Sequence, residues 1–371
     1  MAETVEEIRA RVQYYQEKYY NLEPVVSDEE YDAIIDLLKK MDPNAPELKQ
    51  VGAPVPTHSV WEKVPHKIPM GSLEKVNTEK EFEEWVAKTE AKEFFVTHKI
   101  DGSSMELVYQ DGKLVQCVTR GDGTIGEDVT SNVMKVSNVP LEIPEKIDIV
   151  VRGEVVMLKS IFKNLYAEEY ANPRNTAAGK VREKKNNGAD CMNLVFIAYR
   201  LHQSDESEPI RSMFSMFVML EQMGFQIPEF LVGEIDAMKM RFSTTEKGRE
   251  EIPYEIDGLV VSINDMQLLE ELGDLNMRPR GQIAWKFEAA VGITTVLGVR
   301  WQVGPSGRVT PVADIEPVSI GGVTITSVNL HNLSIFGDLK LSKGCRVLVS
   351  RRNDVIPYIE KNLDLPETEA A

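Results

Sequence analysis

Apolar positions at the start of the chain recur with helical spacing. Val5, Ile8, Val12, Tyr15 and Tyr19 fall three or four residues apart, and "SDEEYDAIIDLLKKMDP" opens a second helix. Ser27 with Glu30 three residues on has the form of a capping box, and Pro43 follows the end of that helix. The spacing predicts a helical hairpin. The Pro-rich "PNAPELKQVGAPVPTH" after it reads as a first domain boundary.

From about residue 66 to 288, short stretches with a period of two alternate with helical ones. "MELVYQDGKLVQCVTR" predicts a hairpin, because Asp111-Gly112 separates two alternating runs. "IDIVVRGEVVM" and "YEIDGLVVSIN" are further strands. "SMFSMFVMLEQMGF" is an apolar helix whose methionines serve as core filling. Beyond 288 the pattern changes to short strands with Gly and Pro turns, in "TTVLGVRWQVGPSGRVTPVADIEPVSIGGVTITSVNLHN" and "CRVLVSRRNDVIPYI". That pattern predicts a small β-barrel.

A length of 371 residues agrees with two or three domains, and 42% hydrophobic with 27% charged residues is the balance of a soluble globular chain. The chain has no run of 18 apolar residues, and its first residues are amphipathic and acidic, so a cytoplasmic protein without membrane association is expected. Cys117, Cys191 and Cys345 lie far apart, which argues against a disulfide framework and against a zinc site. The formal charge of -17 argues against a protein coated in basic surface. Residues 289–371 balance eight Lys+Arg against eight Asp+Glu, however, so local basic patches there remain able to hold a polyanion.

Two stretches raise chemistry. "RGDGTIGED" has the Gly121-x-Gly123-x-x-Gly126 spacing of a dinucleotide loop, but it follows an alternating hairpin arm instead of a buried parallel strand, which argues against a Rossmann-type oxidoreductase. "KIDG" places Lys99 between apolar strand residues and a turn. Such a lysine is either a surface residue on a strand edge or a nucleophile. In the second case burial or neighbouring cations must draw it down from a pKa of ~10.4. The rest of the chain adds Glu154 in "VRGEV", Arg174 and Arg182 in "ANPRNTAAGKVR", Tyr199 in "FIAYR", Asp257 and Gly258 in "YEIDGLVV", and Lys286 in "IAWKFEA". Cations and carboxylates among strand ends are what phosphoryl transfer needs.

Taken in this order, the fragments resemble the NAD-dependent DNA ligases of bacteria and some viruses, with "YYNLEPVVSDEEYD", "HKIPMGSLEKV", "TPVADIEPV", "LHN" and "RRNDVIP" extending the match to nearly the whole chain. The resemblance implies an α+β multidomain fold. Residues 1–62 would be a helical, NMN-binding hairpin domain, 63–288 a covalent nucleotidyltransferase (ATP-grasp-like adenylation) domain, and 289–371 an OB-fold β-barrel. It implies Lys99 as the nucleophile that takes AMP from NAD, with Asp101 and Glu154 serving Mg²⁺ (or Mn²⁺) and the ribose, and Lys286 on the α-phosphate. Tyr199 would stack on adenine and Arg120 line the ribose, with Ser72, Leu73, Thr97, Ile100, Arg174 and Asp257 also at the nucleotide. Tyr19, Tyr20, Asp28, Tyr31 and Asp32 would hold NMN, aromatic and acidic groups suiting a cationic ring. Arg249 falls where the family has a basic residue. The partner implied is nicked double-stranded DNA, met by Arg174, Arg182, Arg300, Arg308, Arg351 and Arg352.

Three positions depart from the family pattern. Thr97 replaces a glutamate that contacts adenine, Ser262 replaces the lysine of D-G-x-V-x-K, and Pro305 replaces an arginine in "QVGPSG". Loss of a cation from a phosphate site costs on the order of 10²-fold in rate, so weakened catalysis, or a nick-binding protein without turnover, is the rival expectation. No zinc, helix-hairpin-helix or BRCT module follows "VIPYIEKNLDLPETEAA". The chain is expected to be a monomeric minimal ligase, one subunit of a split ligase, or a truncated chain.

Overall fold

The structure is a computed structural model that describes every residue except 1–3, 22–27, 50–59, 171, 204–208, 288–289, 304–308, 321–322, 331–335, 338, 353–355 and 366–371. The chain divides into two compact units, one of Met1–Val25 with Ile34–Phe287 and one of Val26–Ala33 with Glu288–Ala371.

The apolar spacing of the N-terminal segment forms helix Val5–Asn21, in the first unit, and helix Asp28–Met41, which belongs to that unit from Ile34 on. Ile8 and Val12 pack with Ile34, Leu38 and Ala45 in a small separate core. Arg9 and Gln13 reach the buried Glu47 at 2.9 and 2.7 Å, which ties the short helix Pro46–Lys49 to the first. The Ser27 capping box and most of the Pro-rich connector lie outside the described residues.

The remainder of this unit is built on two sheets. One has the order Glu74–Val76, Gln282–Lys286, Ile256–Ile263, Phe94–Ile100, Phe230–Gly233. The other has the order Lys113–Thr119, Ser103–Gln110, Ile149–Met157, Leu194–Gln203. The expected hairpin is present, and Asp111 and Gly112 both take positive φ (49° and 77°), as a two-residue hairpin turn requires. Gly102 carries the chain from the first sheet into the second. A Cβ there would meet the Val155 carbonyl oxygen at 2.6 Å.

Phe95 faces the second sheet and joins Met105, Leu107, Val151, Val155 and Phe196 in the main core. Helix Met213–Gln222, capped by Ser212, closes that core with Met213, Met216, Phe217 and Leu220, so the methionines do fill space. The other face of the first sheet buries Phe94, Val96, Leu259, Val261, Ile283 and Trp285 against Phe82 and Met238. Apolar packing on both faces explains the near-continuous apolar runs "FFV" and "LVV".

The glycine-rich "RGDGTIGED" is the turn between Lys113–Thr119 and the short strand Ile125–Glu127, which pairs antiparallel with Lys63–Pro65. Gly121 and Gly123 have φ of 56° and 85°, and Asp122 Oδ1 accepts from the backbone N–H of Thr124 and Ile125. The parallel strand-to-helix crossover of a dinucleotide loop does not occur there.

The second unit holds five antiparallel strands in the order Val323–Asn329, Val309–Ile320, Ala290–Val303, Arg346–Arg352, Ile356–Asn362. The long strand Ala290–Val303 pairs with Arg346–Arg352 through its first half and with Val309–Ile320 through its second, with a register shift between Val296 and Gly298. Val296, Ala313, Ile315, Val328, Val347, Val349 and Ile359 fill its interior. Cys117, Cys191 and Cys345 are all buried and free. Among the described residues no helix is long and apolar enough to cross a membrane.

Phe217 is 1% exposed and its ring lies 4.6 Å from that of Phe95. Phe217→Ala should lower unfolding stability by about 3–5 kcal/mol through lost burial and an unfilled cavity. Leu141→Ala, at an exposed position, should change it by less than about 1 kcal/mol. Urea unfolding followed by tryptophan fluorescence checks both, and equal midpoint shifts for the two variants would contradict the packing described.

Candidate active site

The pairing of three antiparallel strands sets the site. Gly258 of Ile256–Ile263 lies opposite Lys99 on one side and Lys286 on the other. Strand alternation therefore puts both lysines on one face, separated by a residue without a side chain. A register shift between Ile256 and Gly258 interrupts the pairing at Asp257, as a bulge that re-aims a side chain does. Asp257 accepts two hydrogen bonds from Lys99 Nζ, at 2.8 and 2.7 Å, and its Oδ2 is 3.8 Å from Lys286 Nζ. Burial pushes the Asp257 carboxyl up, but the charges of Lys99 and Lys286 outweigh it and hold the group below the usual carboxylate range. Trp285, next to Lys286, is sandwiched by Phe82 and Phe242 at 4.2 and 4.1 Å, which fixes the strand carrying that lysine.

Phe94–Ile100 has neighbours on both sides, but Phe230–Gly233 pairs only as far as Thr97, so at Lys99 the strand is paired on one side, with Gly258. The Lys99 side chain is 26% exposed and engages a carboxylate. The apolar neighbours Val96 and Ile100 point away from it. Ile100 packs with Val156, Ile197, Tyr254 and Ile256 in a separate cluster, so its side chain does not belong to the site.

The second sheet forms the facing wall. Ser104 lies in register with Glu154, and its hydroxyl donates to Glu154 Oε1. The other oxygen, Oε2, is buried without a hydrogen-bond partner among the described residues. Burial pushes the Glu154 carboxyl up to about 7, against the Ser104 hydrogen bond and the positive charges of Arg174, Arg120 and Lys99. Tyr199 is raised above the ordinary phenol range, first by burial and then by the Glu154 charge. Arg174 Nη1 meets Asp101 at 2.7 Å from the first turn of helix Pro173–Arg182, whose N-cap Asn172 accepts from the Asn175 N–H. Arg120 Nη2 donates to the Gly71 carbonyl at 2.9 Å, and Ser72 Oγ accepts from Arg278 at 3.0 Å, with the half-buried Leu73 following.

Lys99, Asp101, Glu154, Arg174, Asp257 and Lys286 are therefore linked by direct contact or by charge, and Thr97 is buried one row below Lys99. Arg182 is turned to Glu127 at 2.6 Å, and the Arg249 guanidinium lies over the Phe287 ring. Arg300 pairs with Asp314 at 3.0 Å within the barrel unit. Tyr31 is half-buried in the second helix. The side chains of Tyr19, Tyr20, Asp28, Asp32, Arg351 and Arg352, and all of Pro305 and Arg308, lie outside the described residues.

The sequence did not reveal a buried network under the arginine of the second wall. Glu106 is fully buried between Arg152, at 3.2 Å, and His66, whose Nδ1 is 3.3 Å away. The other ring nitrogen of His66 lies 2.9 Å from the Arg120 carbonyl oxygen, and Arg152 also donates to the Ile68 carbonyl. Burial raises Glu106, but His66, the Lys67 N–H and Arg152 together hold it low. The only sequence signal was two charged residues inside strand runs. Ser262, read as a lost lysine, is 1% exposed and accepts a hydrogen bond from Gln282 Nε2 at 2.8 Å.

Family models for DNA ligases match along the chain. A family model described as the NAD-dependent DNA ligase adenylation domain matches residues 58–290, one described as the NAD-dependent DNA ligase OB-fold domain matches 293–370, and one described as a DNA ligase-like N-terminal NAD⁺-binding domain matches 1–60. A DNA ligase of Sorangium cellulosum is 38% identical over 96% of this chain and 56% of its own length. One from Acinetobacter baumannii is 36% identical over 96% of this chain and 57% of its own. The chain thus spans a little over half the length of the curated relatives it matches. The solved structure named Pmar-Lig_Pre. aligns at 15% identity and a TM-score of 0.43, over 88% of this chain and 67% of its own.

Glu154 carries a consequence for stability. The unfolded chain releases this proton near 4.5 and the folded one near 7, so the folded state binds more protons in that window. Stability therefore falls as pH rises across it, and the full penalty is present above about 7. Glu154→Gln should remove that penalty, stabilising the protein at pH 8 by up to about 3 kcal/mol and much less at pH 4.5. Urea midpoints at the two pH values test this, and a gain independent of pH would refute the burial argument.

Proposed function

The chain belongs to the NAD-dependent DNA ligase family, and from that premise we propose that it seals nicks between a 5′-phosphate and a 3′-hydroxyl in duplex DNA. The observation that carries this reading is the cluster of Lys99, Asp257 and Lys286 facing Glu154. Lys99 Nζ, as the free amine, attacks the α-phosphorus of NAD. A P–N bond forms, the bond to the NMN oxygen breaks, and NMN leaves. Asp257, within hydrogen-bond reach of Nζ, orients the amine, and Lys286 meets the charge that develops on the phosphoryl oxygens. AMP then passes to the 5′-phosphate of the nick, and the 3′-hydroxyl displaces it.

Around that centre, Tyr199, Arg120, Ser72, Leu73 and Thr97 would take the adenosine, and Arg174 the phosphate or the nicked strand. Asp101 and Glu154 offer only oxygen ligands, and the orphaned Oε2 of Glu154 suits a cation or a hydroxyl. They fit Mg²⁺, which is commonly held by one or two carboxylates together with substrate phosphates and would supply added neutralisation of phosphate charge. We assign no zinc. The helical hairpin of residues 1–62 would bind NMN through Tyr19, Tyr20, Asp28, Tyr31 and Asp32. Residues 63–288 would adenylate, and residues 289–371 would meet DNA through Arg300, Arg308, Arg351 and Arg352, with Arg182 a further contact. A cytoplasmic monomer is the working assembly.

The test is the intact mass of the purified protein after incubation with Mg²⁺ and either NAD or ATP. A gain of one AMP from NAD alone, absent in Lys99→Ala, is expected. No gain from either nucleotide, in protein not already adenylated, would leave a nick-binding protein without turnover as the better reading.

A further inference from the structure

Three rows of cross-strand neighbours descend the sheet face that carries Lys99. The first is Lys99, Gly258 and Lys286, the second Thr97, Val260 and Ala284, and the third Phe95, Ser262 and Gln282. Strands advance about 3.4 Å per residue, so the third row lies about 13 Å from the first. The opposite face of these strands is apolar at Val96, Leu259, Val261, Ile283 and Trp285, with His98 hydrogen-bonded to Tyr254 at its end. On the Lys99 face, by contrast, Thr97 is 7% exposed and Ser262 1% exposed. Polar groups buried this deeply need partners.

Ser262 has one, since Gln282 Nε2 donates to its Oγ at 2.8 Å. That bond uses one of the two amide hydrogens and fixes the plane of the amide. The described residues give the second hydrogen and the carbonyl oxygen of Gln282 no partner. A carboxamide in this state presents one acceptor beside one donor, the pattern that matches the amino group and an adjacent ring nitrogen of adenine. A nucleotide whose phosphate sits at the first row extends its base about this distance. On this face of the three strands the buried polar groups in that direction, among the described residues, are those of the second and third rows.

We propose that Gln282, held in place by Ser262, recognises the adenine of the nucleotide transferred to Lys99. This rests on the reading of Lys99 as the adenylated residue. Recognition is then by a neutral amide, and Ser262 is its support instead of the remnant of a lost cation.

The test measures the rate of AMP gain by intact mass with NAD and with nicotinamide purine dinucleotide, which lacks the 6-amino group. The wild-type chain should prefer NAD by about 10-fold, the value of one satisfied hydrogen bond. Gln282→Leu should slow reaction with NAD mainly through a higher KM and slow the purine analogue less, since the analogue keeps only the ring-nitrogen contact, so that the preference disappears. Ser262→Ala, which removes only the support, should retain part of it. A wild-type chain that uses both dinucleotides equally, or a Gln282→Leu chain slowed by the same factor with each, would overturn the proposal and leave Gln282 a packing residue. Absence of adenylation from either dinucleotide in the wild type would instead refute Lys99 as the nucleophile, and the proposal with it.

Discussion

The register of three strands is the constraint on which the site depends. Lys99, Gly258 and Lys286 share one row only because Ile256–Ile263 pairs with Phe94–Ile100 and Gln282–Lys286 as it does. A slip of one residue would turn both lysines into the apolar face packed by Phe82, Met238 and Trp285, where an unpaired ammonium is expensive. The dry face therefore fixes the wet one. The interruption at Asp257 completes the arrangement, because two ammonium groups held close together need an anion between them. One carboxylate, held low by the two lysines, serves both.

The facing wall is organised in the opposite sense. Burial dominates at Glu154, whose second oxygen lacks a partner, and the arginines nearby do not fully offset it. Such a group costs the empty protein stability, and a ligand that satisfies it recovers that cost on binding. The deeper Glu106 shows the contrast. It is as buried as Glu154, but Arg152, His66 and a backbone N–H surround it, and its carboxyl stays low. Two glutamates on neighbouring strands, offset by two residues, thus differ because one is surrounded by protein partners and the other keeps an oxygen without one among the described residues. Structure ties the first, through His66, to the backbone of Arg120.

Local signals in the sequence were enough for several elements. Asp111-Gly112 specifies its own turn because both residues tolerate positive φ, and the methionine helix declares itself by apolar content alone. The resemblance to the ligases supplied candidate residues, of which Lys99, Asp257 and Lys286 are in contact, with Lys99 paired through its strand to Gly258. What the sequence could not show depends on which strand lies beside which. Glu106 and Arg152 read as charges within apolar runs until antiparallel pairing sets them side by side. Ile100 reads as a neighbour of the nucleophile, yet alternation turns its side chain to the other face. Ser262 reads as a vacancy because its partner Gln282 comes from another strand.

Pairing also changes the meaning of the departures at Thr97 and Ser262. Thr97 lies opposite Val260, and Ser262 is two residues further along the same strand, so the two are diagonal neighbours on one face. The family's glutamate and lysine at these positions would form a buried pair of opposite charges, whose joint replacement leaves the net charge of the cleft floor unchanged. Losing one member of such a pair strands the other, whereas replacing both with neutral groups of matched hydrogen bonding is often neutral for stability. The Ser262 position also begins about 13 Å from the row of Lys99 and Lys286. Under the proposed reading, with the phosphate at that row, the cost of about 10²-fold expected from removing a phosphate-site cation would not carry over to Ser262, and the two substitutions would act together on how the floor of the cleft is made polar.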